Sequence, residues 1–307
     1  MRISTSMIYD SGAGSMQQQS QLLLKTQQQI SSGRRMLTPA DDPVAAARVL
    51  ELSQSQSINA QYALNSGSAS DSLAMEESVL GSIYGLLQDV RDAVLSAGNG
   101  AYNSSDRASL ANDLSGKYQQ LLGLANSTDG AGQYLFSGYQ GGTRPFSETA
   151  PGTVAYNGDQ GQRLIQVSAS RQIAVSDSGA DVFLRIPKEE GGHQDVFTTI
   201  NDLLTLLRTA PGGAALSNGL ASVQSNLDQA MQNVLSLRTA AGSRLKELDA
   251  VKSANEDRGM QYSETLSRLQ DLDYAKAVSE LTQQQVNLEA AQKSFVKIAG
   301  LSLFNYL

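Results

Sequence analysis

Six prolines, at Pro39, Pro43, Pro145, Pro151, Pro187 and Pro211, leave residues 44–144 and 212–307 with none. Proline deletes a helical hydrogen bond and clashes with the carbonyl one turn back. Two proline-free tracts of this length, dominated by Leu, Ala, Gln, Ser and Glu, therefore predict long helices. Residues 134–194 have another texture, rich in Gly, Thr, Val and Tyr. The chain divides into helix, insert and helix.

Apolar residues recur every seven positions in both tracts. Tyr9, Met16, Leu23, Ile30 and Leu37 form one row, and Leu73, Leu80, Leu87 and Val94 another, with Ile83, Val90 and Ala97 beside it. Leu220, Leu227, Val234, Ala241 and Leu248 run alongside Val223, Ala230, Leu237, Arg244 and Val251. Near the C-terminus, Tyr274, Leu281, Leu288 and Phe295 are flanked by Ala277, Gln284, Ala291 and Ile298. A strict seven-residue repeat keeps one helical seam turned toward a partner helix. Arg244 interrupts its row and is expected to snorkel to the bundle edge. A rod over 212–267 would extend about 80 Å at ~1.5 Å per residue.

Local signals agree. Asp42 before Pro43 reads as an N-cap followed by proline at the first helical position, and Ser31-Ser32-Gly33 as a helix end. Gly98-Asn99-Gly100 closes the second helix, and Ser104-Ser105-Asp106 opens a third that runs to about Ala125. Within the insert, Asn157-Gly158 predicts a hairpin turn between TVAY and QRLIQVSA. Ile165, Val167 and Ala169 alternate with Gln166 and Ser168, as in a strand covered on one face. The insert is expected to fold as a unit of its own, outside the helical seam.

Composition removes most chemistries. Acidic residues exceed basic ones by 30 to 23, a net charge of −7, which argues against a phosphate-tracking nucleic-acid binder. One histidine, His193, and no cysteine exclude most zinc, haem and iron–sulfur centres, a thiol nucleophile and a disulfide scaffold. His193 lies in the polar run KEEGGHQD and reads as an exposed loop residue. Asp41-Asp42 and Asp271-Leu272-Asp273 lack the other ligands of a calcium loop and read as helix caps. Asn103-Ser104-Ser105 and Asn126-Ser127-Thr128 match glycosylation acceptors only as short patterns do by chance. No stretch approaches the ~18 apolar residues of a membrane span, and the start lacks the apolar core of a secretory signal. Neither an enzyme nor a cofactor site emerges.

What remains is geometric. Heptad rows occupy both extremes of the chain, and the ending GLSLFNYL is apolar to its last residue. Such a tail is a liability for a monomer, so the ends are expected to pack together and against neighbouring copies. The candidate assembly seam is Tyr9, Met16, Leu23, Ile30, Leu37, Leu281, Leu288, Phe295 and Ile298. The fold class expected is mainly α: an elongated helical rod with coiled-coil terminal helices and a small inserted β domain.

These residues carry a family resemblance. MRISTSMIYD at the start, SSGRRMLTPADDPVAAARVLEL at 31–52, LLQDVRDAVLSAGNGAYNSSDRASLANDL at 86–114, QYLFSGYQGGTRPF at 133–146 and the segment from Asp273 to Leu307 resemble the flagellin family. The Thr38-Pro39 and Asp42-Pro43 signals and the LSLF-x-YL ending favour its hook-associated members, with filament flagellin as the alternative. The resemblance implies a terminal coiled-coil domain of 1–42 and 270–307, a helical rod of 43–133 and 195–269, and an outward-facing insert of 134–194. It also implies a structural layer between hook and filament, with hook-associated protein 1 below, filament flagellin above and the chain's own copies alongside. A flagellar export chaperone and secretion through the flagellar type III apparatus, to a place on the flagellum outside the cell, are implied as well.

Overall fold

A computed structural model describes residues 5–99, 102–188 and 191–300. The fold is mainly α with a small strand-bearing insert. Its helices are α1 (Thr5–Ser32), α2 (Pro43–Ala97), α3 (Ser104–Ala125), α4 (Val196–Thr209), α5 (Ala214–Gln270) and α6 (Tyr274–Gly300). The strands are β1 (Phe146–Ala150), β2 (Thr153–Tyr156), β3 (Leu164–Ser168), β4 (Arg171–Ala174), β5 (Ile186–Pro187) and β6 (His193–Gln194). Two compact units emerge, residues 1–59 with 257–307 and residues 60–256, and α2 and α5 contribute to both. Among the described residues no helix is long and apolar enough to cross a membrane.

Helix boundaries follow capping chemistry. Asp42 Oδ1 accepts the Ala45 amide at 3.0 Å, and Asp273 Oδ1 accepts that of Lys276 at 3.1 Å. Asn103 caps α3 in a reciprocal box with Asp106, each side chain taking the other's backbone N–H at 3.0 Å. Gly33, which follows α1, adopts φ +68°, a left-handed conformation open to glycine. The α2 stop falls at Ala97 as expected, although Gly100 lies outside the described residues.

In residues 60–256 the heptad rows of α2 and α5 become buried core. Leu80, Leu87 and Val90 of α2 join Leu220, Leu227 and Val234 of α5, with Leu114 and Leu121 of α3 and Ile200 and Leu203 of α4. Helix α4 was not expected from the sequence, although an Asp195 N-cap ahead of Val196-Phe197 could have signalled it; Asp195 Oδ1 accepts the Phe197 amide at 2.8 Å.

The insert differs from expectation in two respects. Asn157-Gly158 is not a hairpin turn. β2 pairs backward with β1, through a turn in which Gly152 takes φ +79° after Pro151, and β3 pairs forward with β4. Pro-Gly with Gly152 at positive φ outcompetes Asn-Gly here, because Asn157 is tied down by its amide to Pro145 O, just before β1, at 2.7 Å and by its side chain to Ser147 of β1. Nor is the insert self-contained. Phe136, Phe146 and Phe183 share one apolar cluster with Phe197 of α4, and the Asn126 side chain brackets Phe146 N and O at 3.0 Å each. The β3–β4 hairpin lays Val167 and Ile173 against Leu73 and Leu248. Its Gln166 and Val167 carbonyls accept hydrogen bonds from Asn65 of α2 and Asn255 of α5. Hairpins this small bury too little by themselves, so their apolar faces close onto the helices.

Candidate assembly site

The two ends of the chain form a helix pair. Tyr9 of α1 meets Phe295 of α6 edge to face with ring centroids 5.2 Å apart. At the opposite end, the Leu272 amide donates to Gly33 O at 3.0 Å and the Arg35 amide to Gln270 O at 2.7 Å. The pair is therefore antiparallel. Gly12 makes the close approach possible, since a Cβ there would stand 2.6 Å from Phe295 Cδ2.

Polar contacts fix the loop after α1. Arg35 donates from Nε and Nη2 to Leu269 O and pairs with Asp42 at 3.3 Å. Asp41 Oδ2 accepts the Leu37 and Thr38 amides at 3.0 Å, while Oδ1 pairs with Lys25 at 2.6 Å. The Lys25 hydrogen bond, followed by the two amides, holds the Asp41 carboxyl down to about 2. The Thr-Pro-x-Asp-Asp-Pro run thus encodes a rigid corner. Beside it lies an open groove of about 530 Å³, lined in part by Met36, Leu37, Pro39, Pro43, Val49 and Leu50.

The proposed seam residues fall as follows. Met16, Leu23 and Ile30 of α1 and Leu281, Leu288 and Phe295 of α6 are half-buried, and Tyr9 is 41 % exposed. Leu37 lies past the end of α1, in the corner. Ile298 belongs to α6, but its side chain and the tail 301–307 lie outside the described residues. A second apolar set turns away from the pair: Met7, Leu22, Leu24, Val278, Val286 and Val296 are 44–70 % exposed. A two-helix pair has one shared seam, so it leaves such residues in water.

Among the described residues no group of three or more His, Asp or Glu is placed to hold a metal ion. His193 is exposed on β6. Asn126 and Asn103, the glycosylation-like asparagines, spend their side chains on hydrogen bonds within the fold. Arg244 corrects its expectation: it does not snorkel to an edge but donates from Nη1 and Nη2 to the Asp177 carboxylate, at 3.1 and 2.9 Å. The neighbouring Glu76 is 1 % exposed. It could have been found as the one carboxylate on the apolar face that runs through Leu73, Leu80 and Ile83 of α2.

Residues 3–141 match the family profile described as the bacterial flagellin N-terminal helical region. The chain is 34% identical over 316 aligned residues to flagellar hook-associated protein 3 of Salmonella typhimurium, covering 99% of each. It is 33% identical to the protein of the same name from Escherichia coli, again over 99% of each. The crystal structure of flagellar hook-associated protein 3 from Legionella pneumophila shares the fold, with a TM-score of 0.68 at 21% identity over 72% of this chain and 98% of that one.

Proposed function

The chain belongs to the flagellar hook-associated protein 3 family, within the flagellins, and on that premise we propose that it is a structural subunit of the layer joining hook to filament. The observation that carries the reading is the antiparallel α1–α6 pair with its uncovered apolar residues, Met7, Leu22, Leu24, Val278, Val286 and Val296. A polymerising subunit needs such a face, because only neighbouring copies remove it from water.

In this reading residues 1–42 and 270–307 line the axial channel, residues 43–133 and 195–269 form the rod, and 134–194 face outward. The layer seats on hook-associated protein 1 and presents its upper surface to filament flagellin. The subunit reaches that place outside the cell through the flagellar type III apparatus, with an export chaperone shielding its C-terminal helix. Lacking cysteine, the chain has no disulfide to reduce before it is threaded unfolded. It performs no catalysis.

Deletion of the gene tests the reading. The expected result is bare hooks, with filament flagellin free in the medium, and recovery of filaments on complementation. Filaments still growing from hooks in the deletion strain, or purified chain polymerising by itself into long filaments as a flagellin does, would overturn it.

A further inference from the structure

Residues 175–178, between β4 and the single π-turn that begins at Ala180, are buried throughout and follow no regular secondary structure. A buried irregular segment must find partners for its backbone amides. Val175 N donates to Arg163 O at 2.8 Å and Gly179 N to Phe136 O at 3.0 Å. Midway between them, the Asp177 amide donates to Oε1 of Glu76, a side chain on α2, at 2.7 Å. Glu76 thus pins the backbone of this segment to α2, while the Asp177 side chain ties it to α5 through Arg244.

The carboxyl is in a hostile place for a negative charge. Its other oxygen, Oε2, is buried without a protein hydrogen bond. The Asp177 side chain, 2 % exposed as a residue, already commits its carboxylate to Arg244 of α5 and accepts Gln162 Nε2 at 2.8 Å. Arg163, the other cation facing the site, is engaged with Gln133 at 2.8 Å and lies 3.9 Å from Asp129. On α2 itself, the adjacent Glu77 is occupied by Arg238. Arg244 is committed to Asp177, and Arg163 bonds Gln133 through Nη1 while its Nε and Nη2 are buried without a partner, so neither guanidinium pairs with Glu76.

We propose that Glu76 is the proton-bearing pin of a latch: uncharged, it holds segment 175–178 against α2, and ionised, it loosens that segment from the helices. Burial, then the Asp177 carboxylate, pushes the Glu76 acid up to about 8 from its ordinary value of 4.5. In the opened segment the carboxyl regains that ordinary value, so the closed form binds more protons between the two. Latch stability is fully present below about pH 4.5 and is lost as pH rises toward 8. The site is a pH-sensitive attachment of the insert, independent of which surfaces assemble.

The test follows backbone amide exchange of the full-length chain, corrected for intrinsic rates, together with the titration of the Glu76 carboxyl carbon. Protection at 175–178 is expected to fall by up to about tenfold per pH unit between pH 6 and 8 and then to level off. Glu76→Gln keeps an acceptor for Asp177 N but cannot ionise, so its protection should be flat over that range. Should that variant fail to fold, the wild-type Asp177 amide shift still reports the titration. A Glu76 midpoint below pH 5.5, or equal pH dependence in wild type and Glu76→Gln, would overturn the proposal.

Discussion

Tyr9 and Phe295 meet edge to face with centroids 5.2 Å apart, which makes α1 and α6 one structural element. Neither terminal helix has a wide apolar face, and an isolated helix of this kind is marginal in water. Pairing supplies what each lacks, and Gly12 sets how closely they approach.

Two glycines of α1, two residues apart and therefore on different faces, separate helix propensity from packing. Gly14 has open space around its missing Cβ, so Gly14→Ala should stabilise α1 by about 0.5–1 kcal/mol. Gly12→Ala gains the same propensity but drives a methyl into the Phe295 ring, an overpacking cost of about 1–3 kcal/mol. Thermal melting followed by circular dichroism should rise for the first variant and fall for the second. Equal shifts would show that the Tyr9–Phe295 contact does not govern the pair.

At Leu288, half-buried on α6, aspartate should permit export and abolish filaments. A carboxylate enclosed by neighbouring subunits costs several kcal/mol per copy, repeated around the layer. Glu289, exposed and bonded to Lys293 at 2.6 Å, is the control, and Glu289→Ala should swim normally. Motility assays with immunoblots of the medium read both halves. Normal swimming by Leu288→Asp removes that residue from the seam.

The corner after α1 should resist acid. Asp41 is held down to about 2, so its contribution is present above the ordinary value of 3.8 and is lost as pH falls through 2. Carboxyl titration by NMR should place its midpoint near 2 in wild type. Lys25→Ala removes the largest cause, and the midpoint should move back toward 3.8. An unchanged midpoint in the variant assigns the effect to the Leu37 and Thr38 amides alone.

Excision of residues 140–190 should be harmful to unit 60–256, because it removes Phe146, Phe183 and Ile186 from the shared core. Phe183 alone stacks on Phe197 at 5.5 Å and meets Phe146 at 5.1 Å and Phe136 at 5.6 Å. Phe183→Ala should cost about 3–5 kcal/mol in denaturant unfolding, whereas Leu164→Ala, 54 % exposed, should change stability by under about 0.5 kcal/mol. A linker in place of 140–190 that leaves α3 and α4 as stable as in wild type would show that the helices close their core without the insert.

Helices α1, α2, α3, α5 and α6, their caps at Asp42 and near Ser104, and the strand character of Ile165 and Val167 were all legible in the sequence. Each is dictated by residues near one another in the chain: a missing proline, a seven-residue repeat, a side-chain oxygen within reach of the next turn's amides. The hairpin partners were not legible, because Asn157-Gly158 and Pro151-Gly152 are both competent turns and only the docking of Phe146 beside Asn126 decides between them. Arg244 looked like a break in an apolar row because its partner, Asp177, arrives from a loop distant in sequence. Glu76 likewise has no local reason to hold a proton; desolvation and a second carboxylate supply one only after α2, α5 and the insert close around it. Short-range stereochemistry therefore settles which segments are helix or strand, while the pairing of faces and the charge state of buried groups depend on contacts that exist only in the folded chain.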